Sequence, residues 1–156
     1  MGDRTILALD PGTKTGWSIR TPDGAHTSGV IDCTPGRHDS PGMRWVKLRA
    51  HLNILLTAYR DVELVVYEDV RRHAGTAASH IYGGMVATIQ AWCVDHKMEH
   101  TAVPVRTVKK HATGKGNANK DAMGEAAAVR WPGYTFADDN EVDSRWIAET
   151  AASEVG

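Results

Sequence analysis

The run Thr5-Ile6-Leu7-Ala8-Leu9, closed by Asp10-Pro11-Gly12, constrains the fold more than any other stretch. Consecutive aliphatic residues leave no polar face, so the strand they form is covered on both sides and lies inside a sheet. Pro11 stops this strand, and Gly12 and Gly16 give the backbone freedom for a tight return into a second strand around Trp17-Ser18-Ile19. One carboxylate, Asp10, is thereby delivered to the strand tip. On this stretch alone Asp10 reads either as the cap of a turn or as a metal ligand awaiting partner carboxylates.

A chain of 156 residues, 42% hydrophobic and 24% charged, fits one globular domain with a proper core, expected over 1–156. No run approaches the roughly 20 apolar residues of a membrane span. Met1-Gly2-Asp3-Arg4 leads straight into the first strand without a signal peptide's apolar region. Cys33 and Cys93 are too few and too far apart for a metal knuckle or a disulfide framework, so a reducing, cytoplasmic compartment is expected. The net charge of -1 decides nothing about nucleic acid, because binding depends on where the charge sits.

Residues 4–32 read as three successive strands, with Thr21-Pro22-Asp23-Gly24 turning the second into the third, and residues 34–42 as a loop. From Met43 to Tyr59, Trp45, Leu48, Leu52, Leu55 and Leu56 recur three or four apart with Arg44, Lys47 and Arg49 interleaved, which predicts an amphipathic helix. Glu63-Leu64-Val65-Val66-Tyr67-Glu68-Asp69-Val70 repeats the logic of the first strand: a buried strand pushing an acid out at its tip. Residues 71–80 read as an exposed polar excursion, and a helix is expected from about Ser79 to His96. Thr101-Ala102-Val103-Pro104-Val105 is a fifth, edge-like strand, and Asn119-Lys120-Asp121 opens a helix that Trp131-Pro132-Gly133 ends. A last helix begins near Asp138. The order predicts a five-stranded mixed sheet with helices around it.

Asp10 and Glu68 come from strands that are neighbours in such a sheet. A third acidic cluster, Asp138-Asp139-Asn140-Glu141-Val142-Asp143, opens the last helix, where Asp139 and Asp143, or Asn140 and Asp143, share a face. Acids in a first turn favour the helix dipole, which accounts for Asp138, Asp139 and Glu141 but less well for Asp143, beside the apolar side marked by Trp146 and Ile147. Oxygen ligands converging from two strands and a helix repel one another, and hard divalent cations remove the conflict. Two Mg²⁺ ions about 3.5–4 Å apart are the usual device for in-line displacement at phosphorus. A basic surface must then lie beside the acids to grip a polyanion. Arg106–Lys120, with Lys109, Lys110, Lys115 and Lys120 and no acid, and Arg71-Arg72-His73 are the candidates.

These residues resemble the RuvC-type Holliday junction resolvases of the ribonuclease H-like superfamily, most of all their phage-borne relatives. The likeness runs nearly the full length. It is carried by Leu9-Asp10-Pro11-Gly12-Thr13-Lys14-Thr15-Gly16, Val66-Tyr67-Glu68-Asp69-Val70 with the Gly83-Gly84 helix, Pro104-Val105-Arg106-Thr107-Val108-Lys109-Lys110, Gly114-Lys115-Gly116-Asn117-Ala118-Asn119-Lys120, and Asp139-Asn140-Glu141-Val142-Asp143. The resemblance implies an α/β ribonuclease H-like fold with helices on both faces of the sheet. It implies a homodimeric, Mg²⁺-dependent endonuclease, with Mn²⁺ substituting, that nicks four-way DNA junctions symmetrically. No small-molecule cofactor or membrane is expected, and the location implied is a bacterial cytoplasm or nucleoid, with phage origin open. Asp10, Glu68 and Asp143 carry over as metal-binding catalytic residues. The position three before Asp143, acidic in bacterial relatives, is Asn140 here, so Asp139 is the third ligand expected, with Asn140 the alternative. Lys109 or Lys110, and Lys120, match positions facing DNA near the scissile phosphate. The 71–80 segment matches a junction-crossover insertion that often bears an aromatic wedge, yet no such aromatic occurs until Tyr82, so Arg71, Arg72 and His73 are expected to grip phosphates instead. The Gly83-Gly84 helix matches a dimer helix; packing within one subunit explains the same glycines.

Rival readings remain at this stage. An ATP-using sugar kinase shares the Asp-x-Gly-Thr turn but needs a duplicated fold of more than twice this length. A nuclease of broader specificity, acting on forks, flaps or RNA–DNA hybrids, shares the carboxylates. A catalytically inactive junction binder would explain Asn140.

Overall fold

The computed structural model describes residues 3–71, 73 and 75–154. Strands β1 (Ile6–Asp10), β2 (Lys14–Arg20), β3 (His26–Asp32), β4 (Leu64–Asp69) and β5 (Glu99–Pro104) form one sheet in the order β3-β2-β1-β4-β5. β1 pairs antiparallel with β2, β2 antiparallel with β3, and β1–β4 and β4–β5 are parallel. The sheet is therefore mixed, β1 is central and β5 lies at the edge, as the sequence predicts. The helices are α1 (Met43–Ala58), α2 (Thr76–Asp95), α3 (Val105–Thr113), α4 (Lys120–Arg130) and α5 (Asp139–Glu154).

Two apolar layers sandwich the sheet, as the unbroken aliphatic runs require. Ile6, Ala8, Leu64 and Val66 pack against Val108, Met123, Ala127, Trp146 and Ile147 of α3, α4 and α5. Leu7, Leu9, Val65 and Tyr67 pack against Leu48, Leu52, Met85, Ile89 and Trp92 of α1 and α2. This alternation fixes the site. Residues two apart share a face, so Asp10 follows Ile6 and Ala8, and Glu68 follows Leu64 and Val66, toward α5. A one-residue slip would turn both acids to the opposite face and expose one apolar layer.

Two differences from the sequence reading concern helices. Val105, read as the end of the fifth strand, and residues 106–113, read only as part of a basic segment, form α3; Pro104 precedes it and Gly114, at φ 87°, closes it in the left-handed region. α2 begins at Thr76, so much of the 71–80 excursion is helical. α4 starts where its signal placed it, with the Asn119 side chain accepting from the Ala122 N–H at 2.9 Å. Among the described residues, no helix is long and apolar enough to cross a membrane.

Candidate metal centre

Asp10 ends β1, Glu68 lies near the end of the adjacent β4, and Asp143 projects from the second turn of α5. One carboxylate oxygen from each lies within 4.8 Å of the others. α5 reaches this position because it rests directly on β2. A Cβ on Gly16 would fall 1.9 Å from the Asn140 carbonyl oxygen and 2.9 Å from the Glu141 nitrogen, so only glycine admits the helix start here. Gly16 pairs with Asp10 across β1 and β2, so the same close approach sets Asp143 over Asp10.

The three carboxyls disfavour one another's ionisation. Burial raises the Asp10 pKa well above the ordinary value, with Glu68, Asp143 and Asp138 adding to it and Lys120 opposing. Glu68, 9% exposed, is pushed up to about 7 by burial and then Asp143, against the charge of Lys109 and a hydrogen bond with Asp10. Asp143 is pushed up to about 6 by burial and then Asp139, with Lys120 and Lys109 opposing. Such a trio either retains protons near neutrality or is neutralised by a cation. Three carboxylate oxygens with no soft donor among them fit hard, octahedral Mg²⁺ or Mn²⁺.

Asp139 stands outside the trio: 62% exposed, it faces Lys120 at 3.7 Å. Asn140 donates its amide to Asp138 at 3.3 Å. Asp138 accepts from the Glu141 N–H at 3.0 Å, the helix-end role read from the sequence, while its charge also reaches Asp10 and Asp143. Of the lysines, Lys109 and Lys120 border the trio, since their charges lower its pKa values. Lys110 is exposed and lines a separate 490 Å³ recess with Arg106 and Glu154, and Lys115 a 900 Å³ groove between α3 and α4.

No protein-family model matches the sequence, and no curated protein matches it. Solved structures do match. RuvC of Thermus thermophilus in complex with a Holliday junction substrate aligns with a TM-score of 0.79 at 19% identity, over 96% of this chain and 93% of that one. The chain has the RuvC fold. A second Thermus thermophilus RuvC structure gives 0.74 at 17% identity over 95% and 93%, and the yeast mitochondrial Holliday junction resolvase 0.65 at 13% over 96% and 78%. The sheet order and the helices on both faces are thus those of the RuvC fold, as the sequence motifs led one to expect.

On this RuvC fold Tyr82 is tied to the chain just after Glu68 rather than presented. The Tyr82 hydroxyl donates to the Glu68 carbonyl at 2.8 Å and accepts from the Val70 N–H at 3.0 Å, so it is no free wedge. His73 lies against Tyr82, ring centroids 4.8 Å apart. Arg71 is 85% exposed and faces Asp69 at 3.3 Å. Arg72 lies outside the described residues. The two glycines of α2 divide between the readings offered for them: Gly84 seats the Trp45 indole, which a Cβ would meet at 2.3 Å, whereas Gly83 faces open space.

A polar layer that the sequence reading missed holds α5 to β2 and β3. Glu141, 2% exposed, accepts from Ser28 Oγ at 2.6 Å, from the Ala137 N–H at 2.7 Å and from the Tyr134 hydroxyl. It stands in the first turn, as read from the sequence, and its burial adds these partners to that helix-end role. Arg145 Nε donates to Ser28 Oγ at 2.7 Å, and its guanidinium lies 3.9 Å over the Tyr134 ring. One turn on, Glu149 meets His26 at 2.7 Å, and His26 meets Ser18 at 2.8 Å. This Ser–His–Glu order matches a nucleophile relay, but Ser18 is fully buried and no substrate reaches it. Cys33 and Cys93 are equally withdrawn, their thiols pushed by burial up to about 11 and about 12.

Proposed function

We propose that this chain is a divalent-metal-dependent endonuclease that resolves four-way DNA junctions by paired, symmetric nicks, working as a homodimer. The observation that carries the reading is the meeting of Asp10, Glu68 and Asp143 on a RuvC fold, with Lys109 and Lys120 at their border. One matching RuvC was solved with a Holliday junction substrate, and the yeast counterpart is itself a Holliday junction resolvase, which supports the junction as substrate.

Asp10, Glu68 and Asp143 would hold Mg²⁺ or Mn²⁺, with Asp139 or Asn140 completing the set. A cation held there would offset phosphate charge and lower the pKa of a water for in-line attack. The protein's own part is charge and position. Lys109 and Lys120 draw the phosphate backbone toward a carboxylate cluster that alone would repel it, and Gly16 keeps Asp143 over Asp10. Glu68 and Asp143 titrate near neutrality, so metal loading releases protons and strengthens as pH rises through that range. One such site makes one cut; paired cuts follow from two copies about a two-fold axis, and the open side of α2 at Gly83 supports that helix as the contact.

A labelled four-way junction incubated with Mg²⁺ and wild type, Asp10→Asn or Glu68→Gln tests this. Wild type is expected to give symmetric nicks and both variants none. Binding without nicking by wild type removes the nuclease reading. Equal cutting of duplex, flaps and RNA–DNA hybrids removes the junction preference and leaves the chemistry.

A further inference from the structure

The cations flanking the trio on the α3–α4 side are one half of a larger pattern. From Thr34 to Arg60 the sequence holds five Arg and Lys residues against one acid, Asp39, and α1 contains no acid at all. Three cations of this half of the protein gather at one corner of the sheet. Lys14 opens β2 opposite Asp32, the last residue of β3. Lys47 of α1 donates to the Thr34 carbonyl at 2.6 Å, and the charges of Lys14 and Lys47 both reach Asp32. Arg44, one turn before Lys47, reaches the adjacent Cys33 thiol, as Lys47 does. Its Nε is buried without a hydrogen-bond partner.

Asp32 offsets one of these three charges and leaves the corner net positive. Among the described residues, Lys14, Arg44 and Lys47 form no ion pair. Asp32 is occupied by the Thr34 N–H and hydroxyl, at 3.0 and 2.6 Å, and Asp39 by the Gly36 N–H at 2.7 Å. β3 runs in the direction of β1, both antiparallel to β2, so the corner lies at the Asp10 end of the sheet. The Cys33 N–H binds the Thr13 carbonyl at 2.7 Å and ties the corner to the turn after Asp10. Two strand spacings separate β3 from β1, about 10 Å, so the corner lies within reach of phosphates about one to two positions along a DNA strand from the one at Asp10.

We propose that Lys14, Arg44 and Lys47 form a second phosphate-binding surface, which grips the duplex arm leading away from the scissile phosphate. The inference rests on the nuclease reading above and extends it: DNA lies across the sheet end with the carboxylate trio between two cationic flanks. Duplex DNA is the partner because the spacing from Asp10 suits consecutive phosphates of the strand being cut.

The test uses the Asp10→Asn protein in Mg²⁺, so that labelled junction DNA is bound and not cleaved. Binding is followed by fluorescence anisotropy between about 50 and 200 mM salt, with hydroxyl-radical footprinting of each arm. Adding Lys14→Ala and Lys47→Ala is expected to flatten the slope of log K against log salt by about 2 and to weaken binding at least tenfold at low salt. Protection is expected to disappear about one to two phosphates from the cleavage position. Lys14→Arg with Lys47→Arg should restore both, and an unchanged thermal midpoint establishes that the fold is intact. If the Ala pair leaves slope and footprint unchanged while Lys109→Ala with Lys120→Ala alters them, this inference fails and the nuclease reading stands. If the parent protein binds neither junction nor duplex, both fail.

Discussion

Replacing Glu68 by Gln removes a charge that the folded, metal-free protein is built to tolerate only with help. Burial and Asp143 lift the Glu68 carboxyl from an ordinary 4.5 to about 7. The folded state therefore binds more protons than the unfolded state between those two values, and its stability falls as pH rises through them. Below about 4.5 the carboxyl is protonated in both states and costs nothing; above about 7 the full cost is present. At about 1.4 kcal/mol per pKa unit, that cost is about 3 kcal/mol at pH 8. The Gln amide keeps the shape of Glu, carries no charge and can donate to Asp10. For a domain of this size each kcal/mol moves Tm by about 2–4 °C.

Thermal unfolding in EDTA at several pH values between 5 and 8 reads the effect as the difference between variant and wild type, which cancels titrations they share. Glu68→Gln is expected to melt about 6–12 °C above wild type at pH 8, the gap closing as pH falls toward 5. Saturating Mg²⁺ should shrink or invert it, because wild type then gains binding free energy that the variant largely lacks. A variant that melts below wild type at pH 8 in EDTA, or a gap that does not change with pH, would refute the electrostatic reasoning for the trio.

Gly16→Ala drives a methyl into the Asn140 backbone and is expected to cost at least about 1–3 kcal/mol, with Mn²⁺ affinity falling further than the Tm change explains; unchanged melting and metal binding would show that α5 does not depend on this seat. Lys109→Ala removes a charge that lowers both Glu68 and Asp143, so the rising limb of Mn²⁺ binding against pH should move to higher pH, and an unmoved limb counts against its place beside them. Asp139→Ala and Asn140→Ala, compared in single-turnover cleavage, decide the remaining ligand: Asp139→Ala is expected to lose more, and the reverse order assigns the position to Asn140. Arg145→Met removes the Nε donor to Ser28 Oγ and the guanidinium stacked on Tyr134, and is expected to lower stability by about 1–3 kcal/mol, read by urea unfolding.

The sheet and two members of the trio were legible because they depend on local patterns. Unbroken aliphatic runs marked β1 and β4 as buried on both faces, and the period of two then put Asp10 and Glu68 on one side without knowledge of any contact. α3 escaped notice because only Val108 of its nine residues is buried and its lysines drew attention to charge rather than period, although Pro104 and Gly114 bracket it as helix signals. The first turn of α2 carries Thr76-Ala77-Ala78, all exposed, and so offers no apolar side to detect.

α5 was the harder case, and the reason bears on function. Glu141, Arg145 and Glu149 are spaced four apart with alternating sign, which by pattern is a solvated salt-bridge ladder. In the folded chain this stripe is buried, because the facing positions of β2 and β3 are Ser18, Arg20, His26 and Ser28 rather than apolar residues. The partners are more than a hundred residues apart in sequence, and no window of local periodicity contains both. Yet this stripe, with Gly16, fixes the rotation of α5 about its axis, and that rotation decides where Asp143 points. Asp139, four residues earlier and on the same side, has already run past the sheet end and turns to Lys120. The geometry of the acidic centre is thus inherited from a polar layer that takes no part in the proposed chemistry. Substitutions in that layer are accordingly expected to alter metal affinity before they unfold the protein.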